Sequence, residues 1–332
     1  MKNGQLIKIF PQDKRKFWES TALLEEEIEE LRLRTGKPAI IKSRSNELYP
    51  DDNGELTTDI GKAHCVDGAE LEAILRHICN YSIYAFEDEL RQGFITVPGG
   101  HRIGIAGQVV LGEDGRIKTI KHISYMNIRV SHQIRGVADK VMQRLYKNGR
   151  LKNTLIISPP GCGKTTLLRD MIRQISDGNI YHKGMCVGLV DERSEIAGEY
   201  MGVPQNEVGI RTDVLDACPK SEGMLLLLRS MAPQVIAVDE LGDIKDLENL
   251  HMAMSCGSSF VATMHGENLE DADRRFGRGR LLKYELFELF IVLDRKDGVP
   301  RIKRIYEKEE AYASLGRRDN DTFGYCWPGN MV

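Results

Sequence analysis

The chain has 332 residues, more than one hydrophobic core usually organises, so two domains are expected. A formal net charge of −3, with 29% charged and 41% hydrophobic residues, excludes both a basic polyanion-binding protein and an intrinsically disordered one. Seven cysteines, an odd number without a C-x-x-C pair, argue against a disulfide framework or a zinc site, and no apolar run approaches the ~20 residues that span a bilayer.

The first residues, MKNGQLIKIFPQDKRKFW, lack the apolar core and small-residue cleavage site of a leader, so a cytoplasmic protein is expected. Residues 21–34, TALLEEEIEELRLR, place Leu23, Leu24, Ile28 and Leu31 at helical spacing ahead of Gly36-Lys37-Pro38 and predict an amphipathic surface helix. PAIIK (38–42) and NELYP (46–50) read as short strands. Asp67, with Glu70 three residues later, marks the start of a helix through ELEAILRHICNYSIY. From 93 to 120 glycine-rich turns alternate with β-branched residues, including a hairpin at Glu113-Asp114-Gly115. The part before Lys147-Asn148-Gly149 therefore reads as a smaller α+β domain, 1–148.

From Asn153 the pattern changes. TLIIS, CVGLVD, QVIAVDE, SFVATMH and LFIVLDR are short, nearly continuous apolar runs separated by helical segments. Such runs belong to buried strands of a mainly parallel sheet, and predict an α/β domain over 149–315. The polar, glycine-rich residues 316–332 predict a loosely ordered tail.

The strongest motif is Ser158-Pro159-Pro160-Gly161-Cys162-Gly163-Lys164-Thr165, directly after TLIIS and running with Thr166 into the helical TTLLRDMIRQI. A phosphate chain needs backbone N–H groups to converge on it; Gly161 and Gly163 allow the required dihedrals and keep side chains out of the way. Lys164 supplies a point charge for the β- and γ-phosphates, Thr165 a hydroxyl for Mg²⁺, and the helix N-terminus its positive dipole end. Ser158 stands where the pattern G-x-x-x-x-G-K-[ST] has its first glycine, which only eases a turn. Cys162, inside the loop, is a position where oxidation could block binding.

A second element is an apolar strand ending in acid: Gln234 to Val238, then Asp239-Glu240. Asp239 is suited to the Mg²⁺ shell and Glu240 to orienting or deprotonating water. Two further strand ends deliver Asp191, Glu192, Arg193 and Glu195, and His265. In open parallel sheets ligands lie outside the carboxyl ends of the strands, so these groups point to one crevice.

These residues carry a resemblance. LRSMAPQVIAVDELGD (228–243), the acidic box VDERSEI (190–196) and ATMHGEN (262–268) resemble the core of secretion-type P-loop ATPases. With EEIEELRLRTGKP (26–38), GGHRIGIAG (99–107) and SPPGCGKTTLLRD (158–170), nearly the whole chain is similar to the stage III sporulation AA family. The resemblance implies a RecA-like core and an ATP-hydrolysing, Mg²⁺-dependent motor that assembles as a homo-oligomer, a hexameric ring. It also implies a location in the mother cell, peripheral at the forespore membrane, where the motor energises or assembles a channel complex. By the same resemblance Lys164 and Thr165 are loop residues, Asp239 and Glu240 the strand-end acids and His265 the histidine-box residue. Secretion ATPases often have glycine where Asp239 stands, which leaves Glu192 and Glu195 as alternative bases. Arg102, Arg129, Arg193, Arg211 and Arg229 are candidates for the arginine that neutralises the transferred phosphoryl group. The cluster Arg274, Arg275, Arg278, Arg280 and Lys283 suits a partner surface or a solvated face. Without a basic stripe or an aromatic-interleaved strand, no nucleic-acid partner is expected. The alternatives are a nucleic-acid-associated ATPase and a nucleotide-gated scaffold that does not hydrolyse.

Overall fold

The computed structural model describes residues 4–44, 46–82, 86–277, 279–296 and 298–319. The chain divides into two compact units, residues 1–133 with 198–206, and residues 134–197 with 207–332.

The first unit holds, in chain order, α1 (Glu19–Leu23), β1 (Ile28–Arg34), β2 (Lys37–Pro38), β3 (Ile40–Ser43), β4 (Glu47–Pro50), β5 (Leu56–Thr57), β6 (Cys65–Val66), α2 (Gly68–Ile78), α3 (Glu87–Gln92), β7 (Phe94–Val97), β8 (His101–Leu111) and β9 (Ile117–Arg129). Seven strands form one antiparallel sheet in the order β5-β4-β3-β1-β9-β8-β7. Leu31, Leu33, Ile41, Ile103 and Ile128 of that sheet share a core with Phe10, Trp18, Leu71 and Ile74. The helix start at Asp67 is formed as expected: its side chain accepts from the Glu70 N–H at 2.7 Å and caps α2. The hairpin at 113–115 joins β8 to β9.

The helix expected over 21–34 is not formed. Only Glu19–Leu23 is helical; Ile28–Arg34 is a central strand, paired to β3 on one side and β9 on the other. A register shift between Ile28 and Glu30 places an extra residue in β1, so Ile28 and Leu31 are both buried although three positions apart. Leu31 and Leu33 then follow the two-residue strand period. A β-bulge thus reproduces the apolar spacing of a helix, while Leu23, assigned to the apolar stripe, is 81% exposed.

The second unit holds α4 (Asp139–Leu145), β10 (Tyr146–Lys147), β11 (Arg150–Leu151), β12 (Thr154–Ser158), α5 (Lys164–Asp177), β13 (Val187–Asp191), β14 (Thr212–Asp216), α6 (Lys220–Ser230), β15 (Val235–Val238), α7 (Ile244–Ser255), β16 (Ser259–His265), α8 (Leu269–Phe276), α9 (Arg280–Tyr284), β17 (Leu289–Lys296), β18 (Val299–Glu307) and α10 (Lys308–Asp319). Its sheet runs β14-β13-β15-β16-β12-β17-β18, parallel except for β18. The five apolar runs are all strands of this sheet. The two edge strands escape a hydrophobicity reading because Thr212–Asp216 and Val299–Glu307 are half exposed.

Lys147-Asn148-Gly149 lies inside the second unit, as the end and turn of the β10–β11 hairpin. Asn148 and Gly149 both take positive φ (52° and 74°), which a two-residue hairpin turn requires, whereas the change of unit falls at 133–134. Of the expected tail, 316–319 belongs to α10; residues 320–332, Cys326 among them, lie outside the described residues, as does Arg278.

Candidate nucleotide site

The four neighbouring parallel strands β13, β15, β16 and β12 end along one edge of the second unit's sheet. Ser158 closes β12 opposite His265 of β16, and its carbonyl accepts from the Gly266 N–H at 3.1 Å. The chain then turns through Pro159 and Pro160 into Gly161 and Gly163, whose φ values of +71° and +80° lie in the left-handed region that a Cβ disfavours. Gly163 is the N-cap of α5, so the helix begins at Lys164 with its first N–H groups turned to the loop. Lys164 is 7% exposed, and Thr165 and Thr166 are half buried in the first turn. Cys162 is 5% exposed, with Sγ 3.8 Å from the Pro160 carbonyl. This thiol is covered, which speaks against the ready oxidation its place in the motif suggested.

Lys164 Nζ stands 3.9 Å from Asp239 Oδ1 and 4.0 Å from Glu240 Oε2. Arg193 Nη1 is 2.9 Å from the same Glu240 oxygen, and His265 Nε2 is 3.4 Å from Oε1. Glu240 is thus met by three potential cations, from the start of α5, the box after β13 and the end of β16. Its backbone takes φ +53°, a conformation that costs on the order of 1 kcal/mol for a residue with a Cβ. Thr263, fully buried in β16, donates to Asp239 Oδ1 at 2.7 Å and accepts from the Glu240 N–H at 2.9 Å.

The acidic box is organised by Asp191 at the end of β13. It is fully buried and accepts the N–H groups of Glu195, Ile196 and Ala197 at 2.8–3.0 Å, folding 192–197 back over the strand end. Burial pushes its carboxyl up to about 6; the Ala197 and Glu195 N–H bonds oppose that shift, while the Asp216 and Asp239 charges add to it. Arg169 of α5 lies beneath the box and donates to the carbonyls of Glu195 and Ile196. Burial lowers its guanidinium from the ordinary range, opposed by the charges of Asp191, Asp239 and Glu195. Glu192 instead turns to Lys220 at 2.7 Å, and Glu195 is half buried, entering the box through its N–H and C=O.

Lys164, Asp239, Glu240 and His265 are therefore brought together, with Arg193 added. Arg102 belongs to the first unit, where it lies over the Phe94 ring; Arg211 donates to the Ser176 carbonyl and Arg229 is exposed. Arg274 pairs with Asp271, and Arg275, Arg280 and Lys283 are exposed. Sequence reasoning missed Thr263 and Arg169. The signal for Thr263 was a hydroxyl interrupting the apolar run FVATM; for Arg169 there was none, because a cation on an amphipathic helix reads as solvated.

The donor set fits a polyphosphate and a hard divalent cation. The glycine-lined turn at a helix start supplies N–H groups, and among the described residues Lys164 has no side-chain partner nearer than 3.9 Å and the buried His265 Nδ1 makes no hydrogen bond. No group of three or more His, Cys, Asp or Glu among the described residues could cage a metal by itself.

The mainly parallel sheet, with a glycine turn at a helix start and acids at a neighbouring strand end, is an α/β fold of RecA-like type. The X-ray structures of the ATPase DotB from Legionella pneumophila and from Yersinia pseudotuberculosis share it, with TM-scores of 0.55 and 0.59 and sequence identities of 17% and 16%. Those matches cover 93% of this chain in both cases, and 87% and 84% of the DotB chains. Residues 1–312 match the family described as "Sporulation stage III, protein AA", and the chain belongs to that family. The Stage III sporulation protein AA of Bacillus subtilis (strain 168) is 41% identical over 283 residues, 85% of this chain and 88% of that protein. Among the described residues no helix is long and apolar enough to cross a membrane.

Proposed function

We propose that the chain is an Mg²⁺-dependent ATPase, the motor of a homo-oligomer that acts in sporulation. The observation that carries this reading is the Glu240 carboxylate, held among Lys164, Arg193 and His265 beside the phosphate loop.

In this reading the N–H groups of residues 161–166 and the Lys164 ammonium bind the β- and γ-phosphates, with Ser158, Pro159, Pro160 and Cys162 shaping the turn. The Thr165 hydroxyl and Asp239 complete the shell of Mg²⁺, which supplies charge neutralisation on the phosphate oxygens. Glu240 orients the attacking water and accepts its proton, and Arg193 and His265 are placed to meet charge on the transferred group. Glu240 is preferred over Glu192 as the base because it lies beside Lys164 at the loop, whereas Glu192 turns to Lys220. The family and the secretion-ATPase fold support a hexameric ring in the mother-cell cytoplasm, peripheral at the forespore membrane. There, ATP and product states of differing affinity for channel proteins would energise or assemble the complex.

The test is phosphate release from ATP by wild type, Lys164→Ala and Glu240→Gln, with and without Mg²⁺, alongside light-scattering mass with and without ATP. Mg²⁺-dependent release that is lost in both variants, with nucleotide binding kept only by Glu240→Gln, is expected. An unimpaired Glu240→Gln enzyme sinks the base assignment, and release that depends on added nucleic acid sinks the channel-motor reading.

A further inference from the structure

We infer that Thr263 is a positioning residue for the paired acids, setting the aim of Glu240 and the free oxygen of Asp239 through one buried hydroxyl; this rests on the proposed ATPase reading.

Regular pairing between β15 and β16 ends at Val238 opposite Ala262. Three more bonds then fasten the outgoing chain to Thr263 alone. Its hydroxyl donates to Asp239 Oδ1 (2.7 Å) and accepts from the Glu240 N–H (2.9 Å), and its carbonyl accepts from the Leu241 N–H (2.7 Å). One hydroxyl has one proton to give, and here it is committed to Asp239, so donor and acceptor roles are both fixed. Thr263 is fully buried among Phe260, Val261, Ala262 and Met264, where an unused hydroxyl would be unfavourable. Strand packing alone does not require the group, since valine has the same branched shape.

The two bonds have different consequences. Glu240 holds φ +53°, and its N–H finds its acceptor in Thr263; without that bond the peptide is free to leave the left-handed region. The carboxylate would then leave Lys164, Arg193 and His265. At Asp239 the hydroxyl occupies Oδ1, and Oδ2 is the oxygen with no hydrogen bond among the described residues, left for a cation. His265, two positions further along β16, meets the Glu240 carboxylate from its other side, so one strand fixes both the main chain and the side chain of the same residue. A displacement of a reacting group by about 1 Å is enough to lower a rate ~100-fold.

The experiment uses the full chain with Thr263→Val, Thr263→Ser, Glu240→Gln and the double variant Thr263→Val/Glu240→Gln. Steady-state phosphate release is read together with affinity for a fluorescent ATP analogue, with and without Mg²⁺. Thr263→Val is expected to lower kcat roughly 10- to 100-fold, each tenfold being about 1.4 kcal/mol, and to weaken the Mg²⁺ enhancement of nucleotide affinity while keeping Mg²⁺-free binding. Thr263→Ser should return kcat to within about threefold of wild type. In the Glu240→Gln background, which keeps nucleotide binding, Thr263→Val should still weaken the Mg²⁺ enhancement of nucleotide affinity, because that part of its effect runs through Asp239. Wild-type kcat and Mg²⁺ dependence in Thr263→Val overturn the inference, as does a Mg²⁺-free binding loss that matches the rate loss. If Thr263→Val does not fold, Thr263→Ser decides, and a serine variant as impaired as a misfolded chain counts against the inference. If wild type itself releases no phosphate, the ATPase reading fails, and the Mg²⁺ dependence of analogue affinity still judges Thr263.

Discussion

The Arg193 guanidinium lies 2.9 Å from the Glu240 carboxylate, joining the acidic box after β13 to the acid after the adjacent strand β15. The pair is reached because Asp191 gathers three backbone N–H groups and folds the box back over its own strand end. Arg193 is 58% exposed at the side chain, so the pair itself adds little to stability. Its value lies in where it leaves a cation.

Arg193→Ala is accordingly expected to change the melting temperature by less than ~2 °C and to lower kcat by 10- to 100-fold, with a small change in KM. Arg193→Lys should recover only part of the loss, because lysine lacks the planar fork. Steady-state kinetics of the three proteins check this. A raised KM at unchanged kcat would reduce Arg193 to a ground-state binding group.

Thiol accessibility separates the sequence reading of Cys162 from its environment. Cys65, Cys186 and Cys256 are exposed, whereas Cys162 and Cys79 are buried, and burial raises the Cys79 thiol to about 11. Labelling the native protein with an aromatic disulfide reagent, followed by peptide mapping, should modify the three exposed thiols first and Cys162 at least ~10-fold more slowly. Nucleotide should slow Cys162 further. Labelling of Cys162 as fast as Cys65 would restore the oxidation-sensitive loop.

Much of the second unit was legible in the sequence, because its parallel strands are buried on both faces and are therefore written as apolar runs. The candidate site was legible for a related reason: Gly161, Gly163 and Lys164, and the acids following Val235–Val238, interrupt those runs at strand ends. The first unit was harder to read, because Ile28, Leu31 and Leu33 obey strand periodicity only after the bulge is known. The support of the site was hidden too, since Thr263 and Arg169 act on backbone groups whose place sequence spacing does not reveal. Two substitutions distinguish strand from helix at 21–34. Leu31→Ala, at a fully buried position, should destabilise by about 2–5 kcal/mol, and Leu23→Ala by less than about 0.5 kcal/mol. A surface helix would give two small, similar values in urea denaturation.

Asp191 provides a pH test with a definite sign. Its folded-state carboxyl lies at about 6, above the ordinary value of 3.8, so between these limits the folded chain binds more proton than the unfolded one. Stability then falls as pH rises through that window, by on the order of 3 kcal/mol from this group alone, and is restored on acidification toward about pH 4. Other carboxylates oppose the trend: Glu25 and Glu30 are held below their ordinary range, burial being offset by His101, 3.4 Å away, and the Gly4 N–H at Glu25, and by hydrogen bonds from Arg32 and Asn127 at Glu30. The difference between wild type and Asp191→Asn is therefore the quantity to measure, by urea denaturation from about pH 4 to pH 8. Asparagine has one acceptor oxygen for three N–H groups, so the variant should be less stable than wild type by about 1–3 kcal/mol at the acidic end. Toward neutral pH the gap should narrow as the buried wild-type carboxyl ionises. A gap that widens with pH would mean that Asp191 is ionised throughout, stabilised by the N–H cradle and Arg169 more strongly than burial opposes.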